Sequence, residues 1–94
     1  VFVPNVFSPN GDDANDIVTV YGKPGTKITK FEVFSRWGEL VHSAKEFDVG
    51  DQTAGWDGKF GGETMTPGVF VYHAQVVYAD GHEEIVKGDI TLIK

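Results

Sequence analysis

The chain has 94 residues, with 8 Lys and Arg against 14 Asp and Glu, a formal net charge of −6 and no cysteine. That length suits one small domain, and a content of 40% hydrophobic residues is too high for a disordered tail. The acidic balance argues against nucleic acid as a partner, the lack of cysteine excludes disulfides and zinc-thiolate sites, and no apolar run predicts membrane insertion by the domain itself. The chain starts without Met, so we expect a domain excised from a longer polypeptide.

The first half of the chain carries strand patterns and no helical period of apolar residues. Residues 1–7 form a short apolar run, which Pro4 restricts to the edge of a sheet or to the first residues of a strand. Alternating stretches follow at 17–21 and 28–37, and residues 39–43 are expected to return as the second arm of a hairpin. The pattern in the 28–37 stretch places on one side Phe31, Val33 and Ser35.

The second half begins with an irregular segment, 44–66, and then resumes the strand pattern. Residues 68–79 form the strongest predicted strand, and residues 84–93 return from it across an Asp80-Gly81 dipeptide, which is typical of two-residue type I′ turns. One face of the strongest strand carries Phe70, Tyr72, Ala74, Val76 and Tyr78. About seven strands at short spacing predict an all-β fold, an immunoglobulin-like antiparallel β-sandwich.

The densest polar cluster lies at residues 8–16, where amide and carboxylate side chains follow one another closely. Ca²⁺ binds six to eight oxygens of this kind, and the spacing predicts metal ligands at Asn10, Asp12 and Asp16. The first and twelfth positions of the calcium-loop pattern lack the expected acidic residues. The alternative is therefore a polar turn whose side chains accept local backbone N–H bonds and which needs no cofactor.

Three residues are candidates for binding a partner, namely Arg36, Trp37 and Trp56. Either indole could stack on a sugar ring, and with the acidic loop the two would form a calcium-assisted carbohydrate-binding or adhesion site. The alternative is that both Trp side chains are buried at the edges of the sandwich, with each indole N–H bonded to a carbonyl. Neighbouring glycines favour burial because they permit close packing. If the strand continues to Trp37, then Arg36 and Trp37 point to opposite sides.

Catalytic patterns are missing from the sequence. The histidines at 42, 73 and 82 are far apart, and no serine lies in a Gly-x-Ser-x-Gly context. The His82-Glu83-Glu84 run lacks the second histidine of a zinc-protease motif. We therefore expect a protein that is not an enzyme.

A series of sequence landmarks follows a fixed order along the chain. They are FSPNGD at 7–12 with ND at 15–16, FEVF at 31–34, RWGELV at 36–41, GWDG at 55–58, PGVFVY at 67–72 and GDITLI at 88–93. The series resembles the gliding-motility-associated C-terminal domain of Bacteroidetes-type bacteria, the type B sorting domain of the type IX secretion system. Asp13 departs from that family, which more often has Gly at this place.

The resemblance implies a non-catalytic sorting domain, residues 1–94, at the C-terminus of a large secreted cargo such as a surface adhesin or a hydrolase. It implies export through the periplasm and the outer membrane to the cell surface. The implied partners are the outer-membrane translocation and attachment components of the secretion machinery.

Overall fold

The computed structural model describes residues 1–8 and 17–93, which form β-strands, one 3₁₀-helix at Gln52–Ala54 and no α-helix. The strands are β1 (Val6–Phe7), β2 (Lys27–Ser35), β3 (Leu40–Ala44), β4 (Phe47–Asp48), β5 (Lys59–Phe60), β6 (Glu63–Thr64), β7 (Gly68–Val77) and β8 (Glu83–Leu92). Nothing helical in this part of the chain has the length and apolarity that a membrane crossing requires.

Six of the strands form one mixed sheet. The order is β1-β8-β7-β2-β3, and β4 also pairs with β2. The long strands β2, β7 and β8 pair antiparallel with one another, whereas β1 is parallel to β8. Strands β5 and β6 form a separate two-stranded hairpin. The 44–66 segment, predicted to be irregular, thus contains the 3₁₀-helix and three short strands.

One face of the large sheet forms the core because alternate residues of its long strands are apolar. The predicted sides of both central strands are confirmed, except that Tyr78 is only half-buried. The buried residues on this face of β2, β7 and β8 include Phe31, Val33, Ser35, Phe70, Tyr72, Ala74, Val76, Ile90 and Leu92. The opposite face of the sheet is covered by no other layer of the described residues, and we call it the open face.

Irregular segments cover the core face where a second regular sheet would lie. Their buried side chains include Val3, Val18, Val20 and Trp56, all of which belong to the single hydrophobic core. The all-β sandwich expected from the sequence is confirmed. The parallel pairing of β1 with β8 departs from the wholly antiparallel arrangement that we expected.

Residues 17–21 were predicted to alternate as a strand, and they do not join a ladder. Three consecutive residues starting at Val18 are fully buried, so neither side of this segment faces solvent. Its backbone instead makes two isolated bridges, one between Val18 and Trp56 and one between Tyr21 and Phe2. The segment therefore connects the N-terminus to the loop that carries Trp56.

The β7–β8 hairpin turns through three residues, Ala79 to Gly81, and the two-residue type I′ prediction is wrong. The Tyr78 N–H donates to the His82 carbonyl at 2.8 Å, and the Gly81 N–H donates to the Tyr78 carbonyl at 2.8 Å. Gly81 has φ of +89°, but Asp80 lacks the positive φ that a type I′ turn requires. This is the turn followed by a left-handed glycine that is common in three-residue hairpin loops.

Candidate functional site

The predicted calcium ligands Asn10, Asp12 and Asp16 lie outside the described residues, so the calcium site stays a prediction. Among residues 1–8 and 17–93, no group of three or more acidic and histidine side chains is arranged to hold a metal ion. The binding candidates Arg36, Trp37 and Trp56 are all described, and the structure separates them into two environments.

Trp56 is a core residue, only 1% exposed. Its ring packs between Phe7 and Phe70, with centroid separations of 5.3 and 4.8 Å. Its indole N–H donates to the Lys59 carbonyl at 3.0 Å, as the burial alternative predicted. Because its side chain is enclosed, Trp56 offers no surface on which a sugar could stack.

Trp37 is 82% exposed, so the expectation that both Trp side chains are buried is wrong for this residue. Strand β2 ends at Ser35 rather than continuing to residue 37, and the chain turns through Arg36, Trp37 and Gly38. The Ser35 N–H donates to the Glu39 carbonyl at 2.8 Å, which closes the hairpin. Trp37 therefore occupies the tip of a three-residue loop.

The loop that presents Trp37 is held by a buried serine. The Ser35 hydroxyl accepts hydrogen bonds from the backbone N–H groups of Trp37 and Glu39, both at 3.2 Å. Gly38 has φ of +86°, a conformation that favours glycine, and its N–H donates to the Ser35 carbonyl at 2.9 Å. These bonds fix the backbone at the tip, so presenting the indole requires little ordering of the loop.

Arg36 lies over the indole of Trp37, with its guanidinium carbon 4.8 Å from the ring centroid. This distance is within the range of a cation–π contact. The two side chains thus share one surface. The expectation that they point to opposite sides held only for a strand that continues to Trp37, and β2 ends at Ser35. We call the loop formed by Arg36, Trp37 and Gly38 the Trp37 corner.

A shallow depression separates the Trp37 corner from residues 65–70 and has a volume of about 170 Å³. Sites for small organic ligands usually measure roughly 300 to 1,000 Å³. The depression is smaller than such sites.

Beside the depression, apolar side chains form a strip across the open face of the sheet, which Thr91 of β8 interrupts. Phe34 of β2 pairs with Leu40 on one side and with Val71 on the other. Val69 lies two residues before Val71 on the same face. Val69 and Val6 lie on opposite sides of Thr91 of β8, with which both pair. All but the half-buried Phe34 are between 41% and 47% exposed. We call these five residues the apolar strip.

The apolar strip was not predicted from the sequence as a functional site. The signal was present in the PGVFVY landmark, where Val69 and Val71 occupy the positions between buried core residues. A strand with one solvated face normally places polar residues there. The two valines therefore place exposed apolar side chains on the open face.

The histidines do not converge on one site. His42 lies on the core side of β3, where its Nε2 is 2.9 Å from the Ala54 carbonyl oxygen. Burial lowers the pKa of His42, although the Ala54 carbonyl and the charge of Asp57 oppose that shift. His73 pairs with Glu32 on the open face, and its buried Nδ1 has no hydrogen-bond partner among the described residues. Neither histidine contacts a group that it could activate as a nucleophile.

The fold is shared with a solved structure, the crystal structure of CopC from Methylosinus trichosporium OB3b. The two have a TM-score of 0.54 and 15% sequence identity over 97% of this chain and 84% of that chain. At this identity the likeness shows the fold alone. No curated protein matches the sequence at a significant level.

The family is shown by the sequence itself, which matches the CHU_C type IX secretion signal domain over residues 1–92. The chain belongs to this family, and the resemblance predicted from the landmarks is confirmed. Membership supports a C-terminal secretion-targeting role and implies export to the cell surface or beyond. It also implies interaction with the secretion machinery in general.

Proposed function

We propose that this domain is a non-catalytic signal that directs a large cargo protein through the type IX secretion system. In this proposal, outer-membrane translocation and attachment components recognise the Trp37 corner together with the apolar strip. The observation that carries the assignment of the surface is the 82% exposure of Trp37 on a loop fixed by hydrogen bonds. The cargo would be a surface protein such as an adhesin.

The composition of this surface supports a protein partner. Trp and Arg are the residue types most enriched among those that dominate the binding energy of protein interfaces. Here an Arg and a Trp stack on each other at the end of a strip of exposed valine and leucine side chains. Covering the indole and the strip would remove apolar surface from water, which favours association.

A reporter fused to residues 1–94 tests the proposal in a bacterium that exports type IX cargo. We expect the wild-type fusion to reach the surface and the Trp37→Ala fusion to be exported about tenfold less or worse, because Trp37 would anchor the contact. Phe60→Ala is the matched control, since Phe60 is an exposed aromatic residue on β5, which is not part of the six-stranded sheet that carries the strip.

The two parts of the proposal fail in different ways. Retention of the wild-type fusion in the periplasm would refute the export signal. Full export of Trp37→Ala would leave the signal intact and refute the Trp37 corner as its recognition surface. Val71→Thr, which replaces a methyl group of the strip by a hydroxyl of similar size, should reduce export without unfolding the domain.

A calcium-assisted carbohydrate-binding or adhesion module is the second candidate function. The observation that favours it is again the exposed indole of Trp37, which presents a flat apolar face to solvent. The enclosed Trp56 cannot supply the second stacking surface that the sequence suggested. Glycan-array binding that is lost in a folded Trp37→Ala variant would support this function, and an array without hits would argue against it.

A further inference from the structure

The outer edge of β8 is open along most of its length. β7 pairs with all ten residues of β8, whereas β1 covers only Thr91 and Leu92 on the other side. Between Glu83 and Ile90, none of the described residues forms strand pairing with this edge. An uncovered edge presents a row of backbone donors and acceptors to which another strand can pair.

The hydrogen bonds around β8 show which backbone groups face outward. The Thr91 N–H donates at 2.7 Å to Asn5, on the side away from β7. The Tyr78 N–H donates to the His82 carbonyl at the start of the hairpin, so the backbone groups of the even-numbered residues of β8 face β7. Because backbone direction alternates along a strand, the odd-numbered residues face outward. The outward-facing residues on the part of β8 that β1 does not cover are Glu83, Ile85, Lys87 and Asp89.

The side chains of the same four residues lie on the open face of the sheet and are exposed. Ile85 is 57% exposed, which is unusual for a large aliphatic side chain in the middle of a strand. None of the described residues forms a salt bridge with Glu83, Lys87 or Asp89. The edge thus presents an acidic, an apolar and a basic side chain in succession, and among residues 1–8 and 17–93 the two charged ones form no salt bridge.

We propose that this edge pairs antiparallel with the same edge of a second copy of the domain. When Ile85 lies opposite Ile85 of the second copy, Glu83 of each copy lies opposite Lys87 of the other. The outward backbone groups of these residues can then bond to each other. In an antiparallel pair the order acid, apolar, base of one copy meets the order base, apolar, acid of the other, so opposite charges face each other. The pair therefore has one central apolar contact flanked by two Glu83–Lys87 ion pairs.

Other registers that align the outward backbone groups are less favourable. One shift places Glu83 opposite Asp89, and the next places Lys87 opposite Lys87, so like charges meet across the strands. A further shift would bring the second copy's strand opposite the outer edge of Thr91, where β1 is already paired. Charge complementarity therefore selects the register centred on Ile85.

The pairing is weak because few residues take part and each copy carries a net charge of −6. We expect a dissociation constant of about 0.1 to 1 mM. The two-fold axis runs perpendicular to the sheet, so the open faces of both copies point in the same direction. The β2–β3 hairpin lies beyond β7 from this edge, and both Trp37 corners stay uncovered in the pair.

Sedimentation and NMR on the isolated chain test this inference independently of export. With rising concentration, the sedimentation coefficient should increase, and the amide signals of Glu83, Ile85 and Lys87 should shift. The amides of Val86 and Gly88 should shift less, because they already bond within the β7–β8 hairpin. A chain that stays monomeric at about 2 mM, well above the expected dissociation constant, overturns the inference.

A charge swap tests the register. Glu83→Lys or Lys87→Glu alone should weaken association by about tenfold, because each creates two like-charged pairs. The double variant restores both pairs with reversed polarity and should associate like the wild type. Asp89→Lys is the matched control, since Asp89 faces no charge in this register. Failure of the double variant to recover, in a protein with wild-type melting, would refute the register.

Discussion

Trp56 joins the two layers of the domain, and the size of its contribution can be predicted. Its ring contacts Phe7 on β1 and Phe70 on β7, while its N–H donates to a backbone carbonyl. Removing such a side chain leaves a large cavity, so we expect Trp56→Ala to lower the free energy of unfolding by about 3 to 5 kcal/mol. Urea denaturation followed by tyrosine fluorescence or circular dichroism measures the change.

The same substitution at the exposed tryptophan is the control. Trp37→Ala removes a side chain that contacts little of the fold, and we expect a change within about 0.5 kcal/mol. Trp56→Phe keeps an aromatic ring in the core but loses the indole hydrogen bond and part of the buried ring volume, so its effect should lie between the two. Equal losses at Trp37 and Trp56 would contradict the assignment of one to the surface and the other to the core.

His42 gives the stability of the domain a predicted dependence on pH. Burial of the ring lowers its pKa below the usual 6.5, so the folded state resists protonation. As pH falls through 6.5, the unfolded chain takes up a proton that the folded chain does not, and stability decreases. The decrease ends below the folded-state pKa, where both states are protonated.

His42→Gln separates this effect from the titration of other groups. The Gln side chain can still donate to the Ala54 carbonyl and carries no titrating proton. Between about pH 7.5 and pH 5.5, the variant should lose less stability than the wild type, as measured by urea midpoints at each pH. An NMR titration that places the His42 pKa above 6.5 would reverse the sign and contradict the prediction.

At the scale of elements, close backbone contact holds the 17–21 segment against the loop that precedes Trp56. A Cβ added to Gly55 would collide with a methyl carbon of Ile17 and would lie 2.7 Å from the Val18 carbonyl oxygen. The backbone oxygen cannot move without disturbing the Val18–Trp56 bridge. We therefore expect Gly55→Ala to destabilise the domain by about 1 to 3 kcal/mol, measured by thermal or urea denaturation.

Gly68→Ala is the matched control for that prediction. Gly68 opens β7, has no heavy atom within 4 Å of an added Cβ, and has no positive φ. Alanine at this position should be tolerated or slightly stabilising, since it reduces the freedom of the unfolded chain. A comparable loss of stability in both variants would show that the crowding at Gly55 does not limit the fold.

The long strands could be predicted from the sequence because alternation is a local signal. The buried sides predicted for β2 and β7 are correct, as Phe31 and Phe70 show, because burial of one face of a strand enforces a period of two. The parallel partner of β1 could not be predicted, because it depends on residues more than eighty positions away. Short strands such as β4 contain too few residues to show a period.

The Trp37 corner was only partly predictable. The glycine beside each Trp suggested close packing, and this is correct for Gly55. Gly38 has no heavy atom within 4 Å of an added Cβ and is explained instead by its positive φ in the hairpin loop. A glycine in the sequence does not reveal which of these two reasons applies, so burial of Trp37 was expected and exposure was found.

At the scale of the whole molecule, two surfaces of one sheet have separate proposed roles. The apolar strip and the Trp37 corner would contact the secretion machinery, and the edge of β8 would contact a second copy. Because the two-fold axis is perpendicular to the sheet, a pair would present both recognition surfaces toward the same side. Two linked contacts bind more tightly than one without any new interaction, provided that the geometry permits both.

The predicted calcium site also concerns the whole molecule, since the stretch with Asn10, Asp12 and Asp16 connects β1 of the sheet to Val18 of the covering layer. An ion bound only by the folded chain stabilises it, by about 2.7 kcal/mol at a hundredfold excess over the dissociation constant. We expect millimolar CaCl₂ to raise the melting temperature relative to EDTA at fixed ionic strength, which controls for screening of the carboxylates. Asp12→Ala should abolish that increase. Equal melting temperatures of the wild type in the two buffers would support the polar turn instead.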